Sequence, residues 1–216
     1  AMASCTDESY KEAGATIAKT AKEATAYADI LVALHMPSAE VLDILPKGAL
    51  VISFVWGLAH PERIKEFTKR GLQALSMDAI PRTSRAQTMD ALSSMSNIAG
   101  YKSVLIAATT LDRYLPMMMT AAGTVPPAKA LIVGAGVAGL QAIATAKRLG
   151  AVVEAYDIRP VVKEQVQSLG AKFVEIPLEE EDTESTGGYA KELSDRNKEI
   201  QRETLAKHVA KSDIVI

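Results

Sequence analysis

The stretch that most constrains this chain is "KALIVGAGVAGLQAIATAKRLGAVVEAYD", residues 129–157. An apolar run, "ALIV", leads into Gly134-x-Gly136-x-x-Gly139, and helical spacing then continues to Gly150. A second strand pattern, "VVEAYD", closes on Asp157. A glycine triplet alone says little; a strand before it and a helix after it give each glycine a mechanical role. Gly134 permits a tight turn, Gly136 lets the backbone approach a pyrophosphate, and Gly139 lets helix and strand pack closely. The helix N-terminus then presents unpaired N–H groups to the phosphates. A carboxylate at residue 157 accepts from both adenosine ribose hydroxyls and repels a 2′-phosphate, which favours NAD(H) over NADP(H). Arg159 follows two residues on, where it could meet a 2′-phosphate; Asp157 argues instead for surface charge or an adenine contact.

The rest of the chain repeats the strand–helix alternation. Helical spacing covers "YKEAGATIAKTAKEATAYAD" (10–29), with Ser9 and Glu12 offering a capping box. Strands are expected at 30–35, 49–55 and 72–78, separated by "SAEVLDIL" and by "HPERIKEFTKRG", a helix with Pro at its start and Gly at its end. Residues 89–114 read as one long helix able to bridge two domains, and "PMMMTAAGTVPP" (116–127) reads as a linker. Met117 to Met119 are expected to fill packing gaps rather than bind metal. After Asp157 come a helix over 160–170, a strand over 172–176, an acidic loop "PLEEEDTESTGG", a long charged helix and a last strand, "DIVI". The expected fold is α/β, with two doubly wound parallel-sheet (Rossmann-like) domains, the second carrying the glycine fingerprint. Domain boundaries are expected at 1–88, 89–127 (helix and linker) and 128–216.

Composition narrows the function classes. Hydrophobic residues make up 48% and charged residues 23%, an ordinary globular balance. A net charge of −2 gives no reason to expect nucleic acid or an anionic membrane as partner. A single Cys and three scattered His offer neither a disulfide framework nor metal-ligand spacing. No apolar run reaches the roughly 18 residues of a membrane span, and no targeting signal is visible. The bare start and the terminal strand suggest a fragment, truncated at both ends.

A second feature is polar. "PRTSRAQTMD", 81–90, crowds Arg82, Arg85, Gln87 and Asp90 with no His, Cys or Lys among them. A dehydrogenase for alcohols, hydroxy acids or amino acids moves a proton along with the hydride and needs a base of suitable pKa nearby. This loop offers instead what holds a nicotinamide carboxamide: an acceptor, an amide and a guanidinium. The competing reading is a helix N-terminus capped by Asp90 or Thr88 with solvated arginines, and composition leaves both open.

"PRTSRAQTMDALSSMSNIAGYKSV", "MTAAGTVPPAKALIVGAGVAGLQAIATAKRLGA", "YDIRPVVKEQVQSLGA" and "TGGYAKE" together resemble the NAD(H)-binding component of proton-translocating nicotinamide nucleotide transhydrogenase. The resemblance covers nearly the whole chain. It implies that Arg82, Gln87 and Asp90 position the nicotinamide and that Ser93 contacts the nucleotide. It places Gly134, Gly136, Gly139 and Val137 at the pyrophosphate and Asp157, Ile158 and Arg159 at the adenosine end. Gly188, Tyr189 and Ala190 fall on a loop that closes over the nucleotide; the plainer reading there is a helix lead-in.

The implied reaction passes a hydride from NADH to NADP⁺ on a separate NADP(H)-binding component. A membrane component couples that transfer to proton movement, and the component on this chain is expected to be a homodimer. The implied location is peripheral to a bacterial inner membrane on the cytoplasmic face, or to the mitochondrial inner membrane on the matrix side, without membrane insertion of this segment. Family members also carry strands before and after the segment seen here. The competing resemblance is to alanine dehydrogenase, which places a catalytic Lys and His at the ends of two first-domain strands. Those positions hold His35 and Trp56 here, and His60 falls beyond the second. A non-catalytic NAD(H)-binding module is the third expectation.

Overall fold

The structure, a computed structural model, describes residues 5–81, 83–177 and 193–216. The chain divides into two compact units, Ala1–Ala91 and Leu92–Ile216.

The first unit begins with two short helices where one long helix was expected. Helix α1 (Asp7–Glu12) starts at Thr6, whose side chain accepts from the Ser9 N–H, so Thr6 replaces the expected Ser9 cap. It has no buried residue, and Gly14 at φ +91° lies just beyond its end. Helix α2 (Ala21–Thr25) restarts at Thr20, which accepts from Glu23 N, while Glu23 reaches back to Lys19 N. The reciprocal cap thus lies at Thr20 and Glu23, and without a buried stripe the intervening residues gain nothing from staying helical.

Strands β1 (Ile30–His35), β2 (Leu50–Phe54) and β3 (Gln73–Ser76) form a parallel sheet in that order. The crossovers are α3 (Ala39–Ile44), capped by Ser38, and α4 (Pro61–Arg70), which begins on Pro and ends on Gly71 in the left-handed region. One sheet face packs Val51 against Leu42, Leu45, Val55, Phe67 and Leu72. The register places Ile30 and Val32 opposite Leu50 and Ile52, with Leu75 beyond, on the other face. There Ile30, Val32 and Leu75 are exposed.

The second unit holds nearly all of helix α5 (Ala91–Thr110). The expected linker contains an antiparallel hairpin, β4 (Met118–Thr120) and β5 (Gly123–Val125). Gly123 at φ +130° supplies backbone an L side chain rarely adopts, and the Thr120 hydroxyl bonds across the turn to Gly123 O. Met117, Met118 and Met119 are exposed on it, so the expectation that they fill core gaps is overturned.

Strands β6 (Lys129–Val133), β7 (Val152–Tyr156), β8 (Lys172–Phe173) and β9 (Ile214–Val215) form a wholly parallel sheet in the order β8-β7-β6-β9. This third–second–first–fourth order is one mononucleotide-binding half of a doubly wound fold with the first strand of the other half beside it. Strand β8 is shorter than the expected 172–176, although Val174 N–H still donates to Ala155 O. Helices α6 (Val137–Arg148) and α7 (Lys163–Ser168) cover one face with Ile143, Ala146 and Val166, joined by Val104 of α5. Helix α8 (Asp195–Val209) contributes Leu205 to the other, beside Leu131, Tyr156 and Val174. Asp213 fixes the last strand, accepting from Lys129 N–H and from Arg113 Nη1, each at 2.8 Å.

Candidate functional site

The site grows from the C-terminal edge of β6. The chain leaves the strand at Gly134, φ +97°, whose N–H donates to Tyr156 O at 2.7 Å. That φ falls where an L side chain is strained, so the turn requires glycine. Gly136 precedes α6 without any side-chain cap. A Cβ built there would meet nothing within 4 Å, so the missing side chain leaves open space over uncapped helical N–H groups. At Gly139 a Cβ would lie 1.7 Å from Gly134 O, so helix and turn close on each other only because residue 139 has no side chain. A pyrophosphate fits this cradle: open space, helical N–H groups without a side-chain cap, and the positive end of a helix.

Asp157 follows the last residue of β7 and is 7% exposed. Its Oδ2 accepts from Ala135 N–H at 2.7 Å, which ties the acid to the glycine turn itself. Arg159 N–H donates to Oδ1 at 2.8 Å, and its guanidinium donates to both oxygens through Nε and Nη2, each at 2.9 Å. Burial alone would raise the Asp157 pKa. The Arg159 side-chain bond, the N–H groups of Arg159 and Ala135 and the arginine charge together outweigh it and hold the carboxyl below its ordinary range. The acid is thus held ionised, with both of its oxygens engaged by these four donors.

Gly134, Gly136, Gly139, Asp157 and Arg159 come together at this one edge. Val137 opens α6 half-exposed to solvent, and Ile158 lies between the acid and Arg159. Ser93 lies in the first turn of α5. Gln87 and Asp90 belong to the first unit: Gln87 is exposed in a 3₁₀ turn (Gln87–Met89), and the Asp90 N–H donates to Gln87 O at 3.2 Å. Arg82, Gly188, Tyr189 and Ala190 lie outside the described residues.

Sequence reasoning missed two features. One is the Ala135–Asp157 bond. The other is Gly100 in α5, where a Cβ would lie 2.0 Å from Ala138 O in the first turn of α6. One turn earlier, Asn97 donates to Gln141 Oε1 at 3.1 Å. A lone glycine inside an Ala- and Ser-rich helix was the available signal for that close crossing.

The ends of the first-unit strands offer little proton chemistry. Trp56 adopts φ +57°, with its backbone N–H donating to Asp78 Oδ1 at 3.0 Å and its ring stacked on Phe54. An indole donates a hydrogen bond but takes no proton. His60 bonds to Glu62 at 3.2 Å, and His35 is exposed at the end of β1. Among the described residues, no group of three or more His, Cys, Asp or Glu could hold a metal.

A strand, glycine turn, helix and acid in a third–second–first–fourth parallel sheet define an α/β dinucleotide-binding protein. Family models described as "Alanine dehydrogenase/PNT, N-terminal domain" and "Alanine dehydrogenase/PNT, C-terminal domain" match residues 1–99 and 103–216. The chain belongs to the alanine dehydrogenase/PNT family. It is 46% identical over 214 residues to NAD(P) transhydrogenase subunit alpha of Haemophilus influenzae, covering 99% of this chain and 41% of that protein. The crystal structure of transhydrogenase from Sinorhizobium meliloti superposes with a TM-score of 0.81 at 45% identity, over 98% of this chain and 55% of that one. A structure of L-alanine dehydrogenase gives 0.66 at 27% identity, over 79% and 48%. The chain spans about half the length of the curated relatives it matches.

Proposed function

We propose that this chain is the NAD(H)-binding portion of a proton-translocating NAD(P) transhydrogenase. The observation that carries the reading is the likeness to transhydrogenase alpha subunits, which runs through 99% of the chain. The chemistry of the described residues agrees with it. Gly134, Gly136 and the N-terminus of α6 take the pyrophosphate, Asp157 the adenosine ribose, and Gln87 and Asp90, with Arg82, the nicotinamide end. Ser93 adds a nucleotide contact, and Gly188, Tyr189 and Ala190 form the closing loop.

When bound, NADH supplies the hydride, which passes to NADP⁺ on a partner component to give NAD⁺ and NADPH. No proton leaves the reacting carbons in that exchange, so the protein's task is to orient the ring and exclude water. A loop of amide, carboxylate and guanidinium suits that task better than it suits acid–base catalysis. The partners are an NADP(H)-binding component and a membrane proton channel, and the component acts as a homodimer. The working location is the surface of a bacterial inner membrane or of the mitochondrial inner membrane, beside the channel component. No helix among the described residues is long and apolar enough to cross a membrane.

The deciding experiment mixes the full-length protein with a recombinant NADP(H)-binding component and follows reduction of an NAD⁺ analogue by NADPH. Exchange supports the reading; NADH binding without exchange sinks it. A parallel assay of NADH oxidation with pyruvate and ammonia tests the alanine dehydrogenase alternative, which the 27% identical structure keeps in view. Turnover there would assign the site to amino-acid chemistry.

A further inference from the structure

Asp157 is already saturated. A carboxylate offers about four lone-pair positions, and four N–H groups fill them: those of Ala135 and of Arg159 from the backbone, and Nε and Nη2 of Arg159. The two backbone donors are fixed by the glycine turn and by the chain leaving β7. The two guanidinium donors belong to a side chain that is 18% exposed beside a carboxylate that is 6% exposed. A ribose diol also brings two donors and needs two acceptor positions. It gains them only by taking the places of Nε and Nη2.

We propose that Arg159 is a built-in stand-in for the ribose diol, holding the Asp157 acceptor positions until the nucleotide exchanges for it. The proposal rests on the NAD(H) reading and gives Arg159 a role opposite to a simple ligand contact. Leaving a buried carboxylate with unfilled acceptor positions is unfavourable. The guanidinium keeps the acid ionised and aimed while the site is empty. The same bonds must break on binding, so Arg159 lowers nucleotide affinity while it stabilises the empty fold. Asp157 and Arg159 thus set affinity together, and the arginine acts through the acid.

The test is a double-mutant cycle on the full-length protein with D157N, R159M and the double variant, titrated calorimetrically with ADP-ribose. R159M keeps the apolar stem and removes the donors. It should bind ADP-ribose about three- to tenfold tighter than the wild type, the scale of one or two net hydrogen bonds. Its unfolding midpoint without ligand should fall, and its ligand-induced rise should grow. In the D157N background the arginine substitution should change affinity less than about twofold. ADP carrying a 2′,3′-dideoxyribose should show no gain from R159M. Weaker binding by R159M in both backgrounds would mean that Arg159 contacts the ligand directly, and unchanged affinity would mean that no exchange occurs; either overturns the proposal. If R159M does not fold, R159K takes its place: a point charge without the planar fork should bind ADP-ribose tighter than wild type, and equal or weaker binding overturns the proposal. Wild-type protein that binds neither ADP-ribose nor NADH would remove the cofactor reading itself.

Discussion

Gly136 and Gly139 are three residues apart in one motif and should fail in different ways. A methyl group at Gly139 would overlap the Gly134 carbonyl at 1.7 Å, and a backbone atom cannot yield cheaply. Gly139→Ala should therefore cost about 1–3 kcal/mol of stability, the usual scale of overpacking, and lower the unfolding midpoint by several degrees. At Gly136 φ is −77° and the space is open. Gly136→Ala should fold with a midpoint near wild type yet lose affinity for NADH, because its methyl occupies the proposed approach of the phosphate. Thermal scans with and without NADH separate the two, and equal destabilisation would refute this division of roles. Asp157 adds a pH dependence with a fixed sign. Its folded pKa is depressed, so its contribution is present above the unfolded value of about 3.9 and is lost as pH falls through the folded value. Wild type should exceed D157N in stability at pH 7, and acid titration of the unfolding midpoint should show that gap closing below about pH 4. Glycines and the acid were legible as residue types at a spacing. That Ala135 and Arg159 hold the acid was not, because a backbone N–H has no letter of its own and Arg159 reads equally as surface charge.

At the scale of elements, the crossing of α5 over α6 depends on one residue. Gly100→Ala would press a methyl to within 2.0 Å of the Ala138 carbonyl, forcing the helices apart. Because Ala138 lies in the first turn of α6, the displacement reaches the N–H groups proposed to meet the pyrophosphate. Expected are a loss of about 1–3 kcal/mol and a several-fold weaker ADP-ribose complex. Ala99→Ser, at an exposed position of the same helix, should change neither. Normal affinity in G100A would show that the crossing does not position the turn. The pattern of α5 could not reveal this. Met95, Ile98, Tyr101 and Ile106 are apolar yet exposed, while the buried positions are Gly100 and Val104, so hydrophobicity does not mark its inner face. The β-branched runs of β2, β6 and β7 were legible because strands in parallel sheets are apolar on both faces. The hairpin β4–β5 was not, since three-residue strands of Met, Thr and Gly show no alternation. The break between α1 and α2 was not legible, because Ala-rich spacing reads as helix even where almost nothing is buried.

At the largest scale, the two units differ in how their sheets are covered. The four-stranded sheet has apolar clusters on both faces, one joining α5, α6 and α7, the other including Leu205 of α8. The three-stranded sheet packs one face and leaves Ile30, Val32 and Leu75 exposed on the other. Parallel sheets are ordinarily covered on both sides, so this face is the one open to further packing. Each unit has its own core, and local opening follows such cooperative units. A ligand stabilises only the unit it touches, by about 2.7 kcal/mol at a concentration one hundred times its Kd. ADP-ribose carries the pyrophosphate and the adenosine but no nicotinamide, so its proposed contacts all belong to the second unit. Hydrogen exchange at Lys129–Val133 and Val152–Tyr156 should slow by up to about a hundredfold in saturating ADP-ribose. Exchange in β1, β2 and β3 should not change. NADH should add protection around Gln87–Met89, because the ring end is what the polar loop is proposed to hold. Equal protection of that turn by ADP-ribose and NADH would detach the loop from the nicotinamide, leave the dinucleotide turn intact, and return Gln87 and Asp90 to the role of an ordinary lead into α5.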